Sequence, residues 1–177
     1  MKGLEMKSAI YKIIFTFLLV SAGSASGSSV DSSGASNNAG AAGVGVAFFG
    51  VTGLSVYADV SQRNFLQAAI GFSRGGSYAV TADYAFPHHN ALSSLPSMTP
   101  YWGFGAVVLH DQSDYWSDYA RKKSRYSEYF GARVPLGLNW VIPGTPIQLA
   151  AEIAPSLLFS PSSYGYLQGG FSARILF

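Results

Sequence analysis

The sequence predicts an all-β protein, an eight-stranded antiparallel transmembrane β-barrel, and three observations carry that prediction. First, the 177 residues are 49% hydrophobic but only 11% charged, whereas a soluble domain usually carries about 25% charge. Such a chain has too little polar surface for an ordinary soluble fold. Second, crossing a bilayer as a helix takes ~18 consecutive apolar residues, and the longest apolar run, Ile13 to Val20, is far shorter and holds Thr16 inside it. Third, from Gly43 onward apolar residues recur with period two rather than 3.6, which is the pattern of strands with two distinct faces. A chain apolar on average, yet interrupted throughout by Gly, Ser and Tyr, reads as a membrane barrel.

Composition also excludes several chemistries. The formal charge of +2 gives no electrostatic footprint for nucleic acid. There is no cysteine, so disulfides, Cys-ligated zinc, thiol catalysis and a lipidated N-terminal Cys are all ruled out.

At the N-terminus Lys2, Lys7 and Lys12 precede the apolar run, and Gly23 and Ala25 follow at the spacing a signal peptidase requires. Residues 1–25 therefore read as a secretory signal peptide, with Ala22 an alternative cleavage point. Residues 26–42 are nearly all Ser, Gly, Ala and Asn, too poor in apolar mass to offset the entropy of ordering them. They are expected to form a flexible leader, and residues 43–177 to form the barrel.

The strands follow in order. Gly43 to Phe49 opens the barrel. Leu54, Val56, Ala58 and Val60 then oppose Ser55, Tyr57 and Asp59. Phe65 to Ser73 is the third strand. In the fourth, Tyr78, Val80, Ala82, Tyr84 and Phe86 oppose Ala79, Thr81 and Asp83, and Tyr101 to His110 is the fifth. The sixth sets Phe130, Ala132, Val134, Leu136, Leu138 and Trp140 against Gly131, Arg133, Gly137 and Asn139. Pro135 lies inside it, where it removes a ladder donor, and predicts a bulge. The seventh sets Ile147, Leu149, Ala151 and Ile153 against Gln148, Ala150 and Glu152. The last alternates most cleanly, Leu167, Gly169, Phe171, Ala173, Ile175 and Phe177 against Tyr166, Gln168, Gly170, Ser172, Arg174 and Leu176. Val51-Thr52-Gly53, Arg74-Gly75-Gly76 and Pro143-Gly144-Thr145-Pro146 supply turns between them.

Charge decides which face is inside. The strand interiors contain five charged residues, Asp59, Asp83, Arg133, Glu152 and Arg174, all on the face rich in Gly, Ser and Gln. Five charges cannot solvate the outside of a soluble barrel, whereas an Arg facing lipid near the midplane costs about 2–4 kcal/mol. The polar face is therefore predicted to be the lumen. With strands alternating up and down, Phe86, Trp102, Trp140 and Phe177 arrive at one rim on the apolar face as an aromatic girdle, and Phe48, Phe72 and Tyr78 mark the other.

The last strand ends Ala173-Arg174-Ile175-Leu176-Phe177, which resembles the terminal-Phe signal by which Gram-negative outer-membrane barrels are recognised for insertion. Together with Thr52-Gly53-Leu54-Ser55, Ala82-Asp83-Tyr84, residues Gly131 to Leu138 and Glu152-Ile153-Ala154-Pro155, it makes the chain similar to a family of small, mostly uncharacterised outer-membrane barrels of Gram-negative bacteria and spirochaetes, of the OmpX and OmpA barrel type. The resemblance spans Gly43 to Phe177. It implies an outer-membrane location, partners in membrane lipid and lipopolysaccharide, and delivery to the barrel-assembly machinery through the C-terminal strand. No agreed activity comes with it. The Ser/Gly leader and the charged loop after the fifth strand depart from the family.

Three candidate sites emerge. The interior charges Asp59, Asp83, Arg133, Glu152 and Arg174 are expected to pair into a network that fills the lumen, since an eight-stranded interior is just wide enough for side chains to fill it; a gated pore or proton path is the alternative. Counting along the strands sets Asp59, Asp83 and Arg174 nearer the periplasm, with Arg133 and Glu152 higher. The second is the long extracellular loop, where Asp114, Tyr115 and Trp116 precede Arg121, Lys122, Lys123 and Arg125. It suits nonspecific contact with lipopolysaccharide phosphates, or adhesion to an unidentified extracellular ligand. For catalysis, His110, Asp111 and Ser113 come within reach of one another, but their spacing matches no nucleophile motif. His88 and His89 adjoin Asn90, yet neighbours in a strand point oppositely, which argues against metal chelation. The sequence thus predicts a structural or surface-interaction role with no catalysis, no cofactor and no metal, the alternatives being an adhesin, a lipid A-modifying enzyme or a narrow pore.

Overall fold

A computed structural model describes residues 41–177 other than 51, 62, 74–75, 90, 93, 96, 112–126 and 161–162. The expected signal peptide, and the leader up to residue 40, lie outside the described residues. Among the described residues there are nine strands, β1 (Ala42–Phe48), β2 (Thr52–Ser61), β3 (Asn64–Phe72), β4 (Tyr78–Pro87), β5 (Met98–Asp111), β6 (Ser127–Arg133), β7 (Leu136–Val141), β8 (Ile147–Ser160) and β9 (Tyr164–Leu176). The first begins at Ala42, one residue inside the segment read as leader. β8 runs through Pro155 to Ser160, well beyond Ile153.

Every pairing is antiparallel and the sheet closes on itself. β1 pairs with β2 on one side and with β9 on the other, and β4 pairs with β5. β6 and β7 occupy one stave between β5 and β8, because β6 pairs with Gly105 to Asp111 and β7 with Met98 to Trp102 of the same strand. Nine strands therefore make eight staves. The seam is tied at its end by reciprocal backbone bonds between Ala42 and Phe177, 3.0 and 2.8 Å.

The break between β6 and β7 falls at Val134 and Pro135, but it is not the expected bulge. Arg133 faces Ser156 and Leu136 faces Ile153 on β8, while the same two residues face Gly105 and Trp102 on β5, so the register passes through in step. The ladder persists through the Gly103 N–H donating to the Pro135 carbonyl at 2.9 Å and the Val134 N–H to the Pro155 carbonyl at 3.0 Å. Only the return donors are missing, because proline has none. The register shift of this stave lies instead between Phe130 and Gly131. The β7–β8 turn uses Gly144 at φ 74°, a conformation that L side chains avoid.

The two faces sort as their chemistry demands. Leu167 is 70% exposed, Phe171 69% and Ile153 53%, which suits lipid and not water. Phe86, Trp102, Trp140 and Phe177 sit at the end where β1 starts and β9 finishes, and the Phe86 and Trp102 rings stack at 4.9 Å. Ile153 stands midway along β8. Ile153→Arg in a lipid bilayer is expected to cost about 2–4 kcal/mol of folding free energy. Urea titration of the vesicle-inserted protein measures it, and an unchanged midpoint would contradict a lipid-facing Ile153.

Inside, the lumen is layered. At the end where β1 starts, Tyr57, Phe65, Ala85 and Tyr101 form a buried cluster with Leu176 against it. Phe65 is fully buried, with its ring 5.0 Å from Tyr57 and 5.1 Å from Tyr101; burying such a side chain stabilises by about 1.5–3 kcal/mol. Toward the other end Val107, Tyr129 and Leu158 cluster with Leu109, Tyr164 and Tyr166. Between the two apolar tiers lies a polar one.

Candidate functional site

The polar tier is built from alternate residues of seven strands whose side chains converge. Arg133 is its centre. Its Nε lies 3.2 Å from Asp83 Oδ1, its second terminal nitrogen contacts Glu152 Oε1, and its Nη1 donates to Gln168 at 3.1 Å. The Arg133 and Asp83 side chains are almost entirely buried and Glu152 is 18% exposed. A pair so shielded is stable only if its remaining polar atoms are also bonded.

Gln67 and Tyr101 supply those bonds. The Gln67 amide donates to Asp83 at 3.2 Å and to Glu152 at 2.6 Å, and the Tyr101 hydroxyl donates to Glu152 at 2.7 Å. The Gln67 oxygen accepts from Arg174 at 3.0 Å. Arg174 also donates to Ser55 at 2.8 Å and Gln148 at 3.1 Å, and its guanidinium lies 5.6 Å from the Tyr57 ring centroid. Two carboxylates and two guanidiniums thus balance, joined through one amide whose orientation is fixed by donors on one side and an acceptor on the other. A cavity of about 40 Å³ remains among these groups. A water needs about 10–15 Å³ of such space, so there is room for a few waters among the charged groups.

Three glycines let these side chains meet. Strands are about 4.8 Å apart, so residues two strands apart on one level meet most easily where the residue directly between them has no side chain. Gly105 stands directly between Asp83 and Arg133, Gly137 between Tyr101 and Glu152, and Gly45 between Arg174 and Ser55. A Cβ at Gly105 would overlap Asp83 Oδ1, and one at Gly137 would overlap the Tyr101 ring. Each of these three contacts is made over the top of a glycine.

Not every residue singled out in the sequence joins this cluster. Asp59 accepts from the Tyr57 hydroxyl at 2.5 Å near the end where β1 starts, apart from Arg133. Asp83, Arg133 and Glu152 share one level instead of two, because the strands tilt and counting residues along each ignores the stagger. Gln67, Tyr101, Gln168 and the bridging glycines were not singled out. Phe65 and Tyr101 could have been, since each has the parity of the polar face of its own strand, two residues before Gln67 and four before Gly105. His110 stacks on Tyr78 at 4.8 Å and its Nδ1 lies 3.8 Å from Glu128, while Ser113 and Asn90 lie outside the described residues. His88 and His89 are exposed, and His88 Nδ1 lies 3.2 Å from the Phe86 carbonyl. Among the described residues no group of three or more His, Cys, Asp or Glu could hold a metal. Asp114, Tyr115, Trp116, Arg121, Lys122, Lys123 and Arg125 of the expected extracellular loop all lie outside the described residues.

The closed eight-stave ring with a packed lumen matches a solved architecture. The N-terminal β-barrel domain of Pseudomonas aeruginosa OprF superposes with a TM-score of 0.57 over 77% of this chain and 97% of that one, at 10% identity. The fold is that of an outer-membrane β-barrel. Neisserial surface protein A superposes over 77% of this chain and 94% of its own, with a TM-score of 0.46 and 11% identity. No protein-family model and no curated protein sequence matches the barrel. The likeness therefore resides in backbone architecture, and the chemistry has to be read from the barrel's own residues.

Proposed function

We propose that the chain is an integral outer-membrane protein whose lumen is filled by its own side chains, and whose role is structural or exercised at its surface, without catalysis. The apolar outer wall takes membrane lipid as its partner, with lipopolysaccharide on the outward side, and the C-terminal strand is what the assembly machinery engages. The observation that carries the closed-lumen part of this reading is the layering of the interior. A charge-balanced polar tier lies between two apolar tiers, and the cavity left among its side chains is about 40 Å³.

The reading is tested in planar bilayers. Insertion of the folded full-length protein should give no steady single-channel current. A reproducible ohmic conductance that scales with inserted protein would replace the filled barrel with a narrow pore.

A further inference from the structure

β9 is taller than the strand that closes the seam beside it. It pairs with β8 from Ile147–Ile175 up to Leu158–Tyr164 without a register shift, but its pairing with β1 stops at Phe48–Phe171. Phe49 still lies against Gly170, and beyond it the chain turns away through Gly50, φ 82°, to start β2 at Thr52. Phe177 and Ala42 exchange bonds, whereas Leu176 donates to Pro146 on the β8 side. Backbone groups alternate between neighbours along an antiparallel strand, so those of Gly165, Leu167 and Gly169 point to the side β1 has vacated. Among the described residues no ladder partner faces them there.

Natural sheets defend such edges with lysine, proline, bulges or inward charges. Tyr164-Gly165-Tyr166-Leu167-Gln168-Gly169-Gly170 contains no charge and no proline, and its pairing has no bulge. Leu167 is 70% exposed, and a Cβ on Gly165 or Gly169 would meet nothing closer than 3.8 Å. About 9–11 residues carry a strand across the membrane. Counted from the rim at Phe177, that places Gly165 and Leu167 at the far interface. There the edge is accessible and only partly wetted, where an unsatisfied backbone group is costly.

We propose that the upper edge of β9, Gly165 to Gly169, is a strand-addition site for an extended peptide of an external partner, running antiparallel to β9. Main-chain bonds to Gly165, Leu167 and Gly169 supply the affinity. The bare glycines set the preference, since an aromatic side chain opposite a strand glycine packs over it. The fitting peptide therefore carries aromatic residues two positions either side of a small β-branched one, which faces Leu167. A second copy of this chain does not fit. Two copies in one membrane share the same up-down sense, so their β9 strands meet parallel and crossed by the barrel tilt of about 35–45° each.

That the edge faces outward rests on the outer-membrane reading above; strand addition itself does not. The probe is a capped peptide, Thr-Tyr-Thr-Val-Thr-Tyr-Thr, added to the full-length protein in micelles and in lipid nanodiscs, with amide exchange read residue by residue. Without peptide, Gly165, Leu167 and Gly169 should exchange fast and Tyr166 and Gln168 slowly. With peptide the first three should become protected. Leu167→Pro removes one donor without touching the β8 ladder and should weaken binding about tenfold, as should N-methylation of the central peptide residue, which leaves the protein unaltered. Leu167→Thr should bind as the parent does. Binding in micelles by a protein that fails to enter nanodiscs would overturn the membrane reading and uphold strand addition. Absent protection at millimolar peptide, or binding indifferent to both the proline and the N-methyl group, would overturn the proposal.

Discussion

Glu152→Leu is expected to lower the folding stability of the barrel by about 3–5 kcal/mol, the cost of breaking a buried ion pair from one side. The carboxylate accepts from Arg133, Gln67 and Tyr101 at once. Its loss strands a tyrosine hydroxyl and half of an amide, and it leaves Arg133 and Arg174 facing Asp83 alone. Leucine matches the volume but none of the bonds. The tier then carries one uncompensated positive charge in a low-dielectric space. Adding Arg133→Leu restores the balance between Asp83 and Arg174, so the double variant should lose less than the sum of the singles, the non-additivity expected of one network. Urea titration in lipid vesicles, with heat-modifiability on gels as an independent readout of the folded barrel, measures both. Unchanged stability of Glu152→Leu would mean that the tier is solvated and the lumen open.

How much of this was legible in the sequence depends on which part of the geometry is local. Alternation along one strand is local, so the lipid-facing wall of Leu167, Phe171 and Ile175 could be read directly, and so could the placement of Arg133, Glu152 and Arg174 on the opposite face. Which residues sit across from one another is not local. It is set by the length of every turn and by the stagger that closes the ring. That is why Gly105, unremarkable among 20 glycines, could not be recognised as the gap through which Asp83 reaches Arg133. Pro135 shows the same limit. Within its strand it looks like an interruption, yet with Pro155 near it on β8 the stave gives up one ladder bond toward each neighbour while its register stays intact. Tyr57 and Tyr101 were obscured by a different ambiguity. Tyrosine serves both as a membrane-interface residue and as a lumen filler whose hydroxyl finds an acceptor, and only the parity of its own strand separates the two uses.

The glycine gap yields the second large effect. Gly105→Val should destabilise the barrel by about as much as losing the Asp83–Arg133 pair outright, ~3–5 kcal/mol, with about 1–3 kcal/mol of overpacking strain in addition where the new methyls meet the Asp83 carboxylate and the Ala82 carbonyl. Space is what Gly105 provides and not backbone freedom, since it lies inside a regular ladder with Asp83 on one side and Arg133 on the other. Gly165→Val is the control. It makes the same substitution in a strand where a Cβ meets nothing nearer than the Ser156 carbonyl at 3.8 Å, and valine's preference for strands should leave stability unchanged or raised by less than about 1 kcal/mol. Shortening the obstructing side chain distinguishes the causes again. In a Gly105→Val background Asp83→Ala removes the overlapping oxygen, and it should cost far less than Asp83→Ala costs the parent barrel, because the bridge it would break is already gone. Equal losses for Gly105→Val and Gly165→Val would show that the strands respond to glycine replacement as such, and that the side chains of β4 and β6 do not depend on an open path across β5.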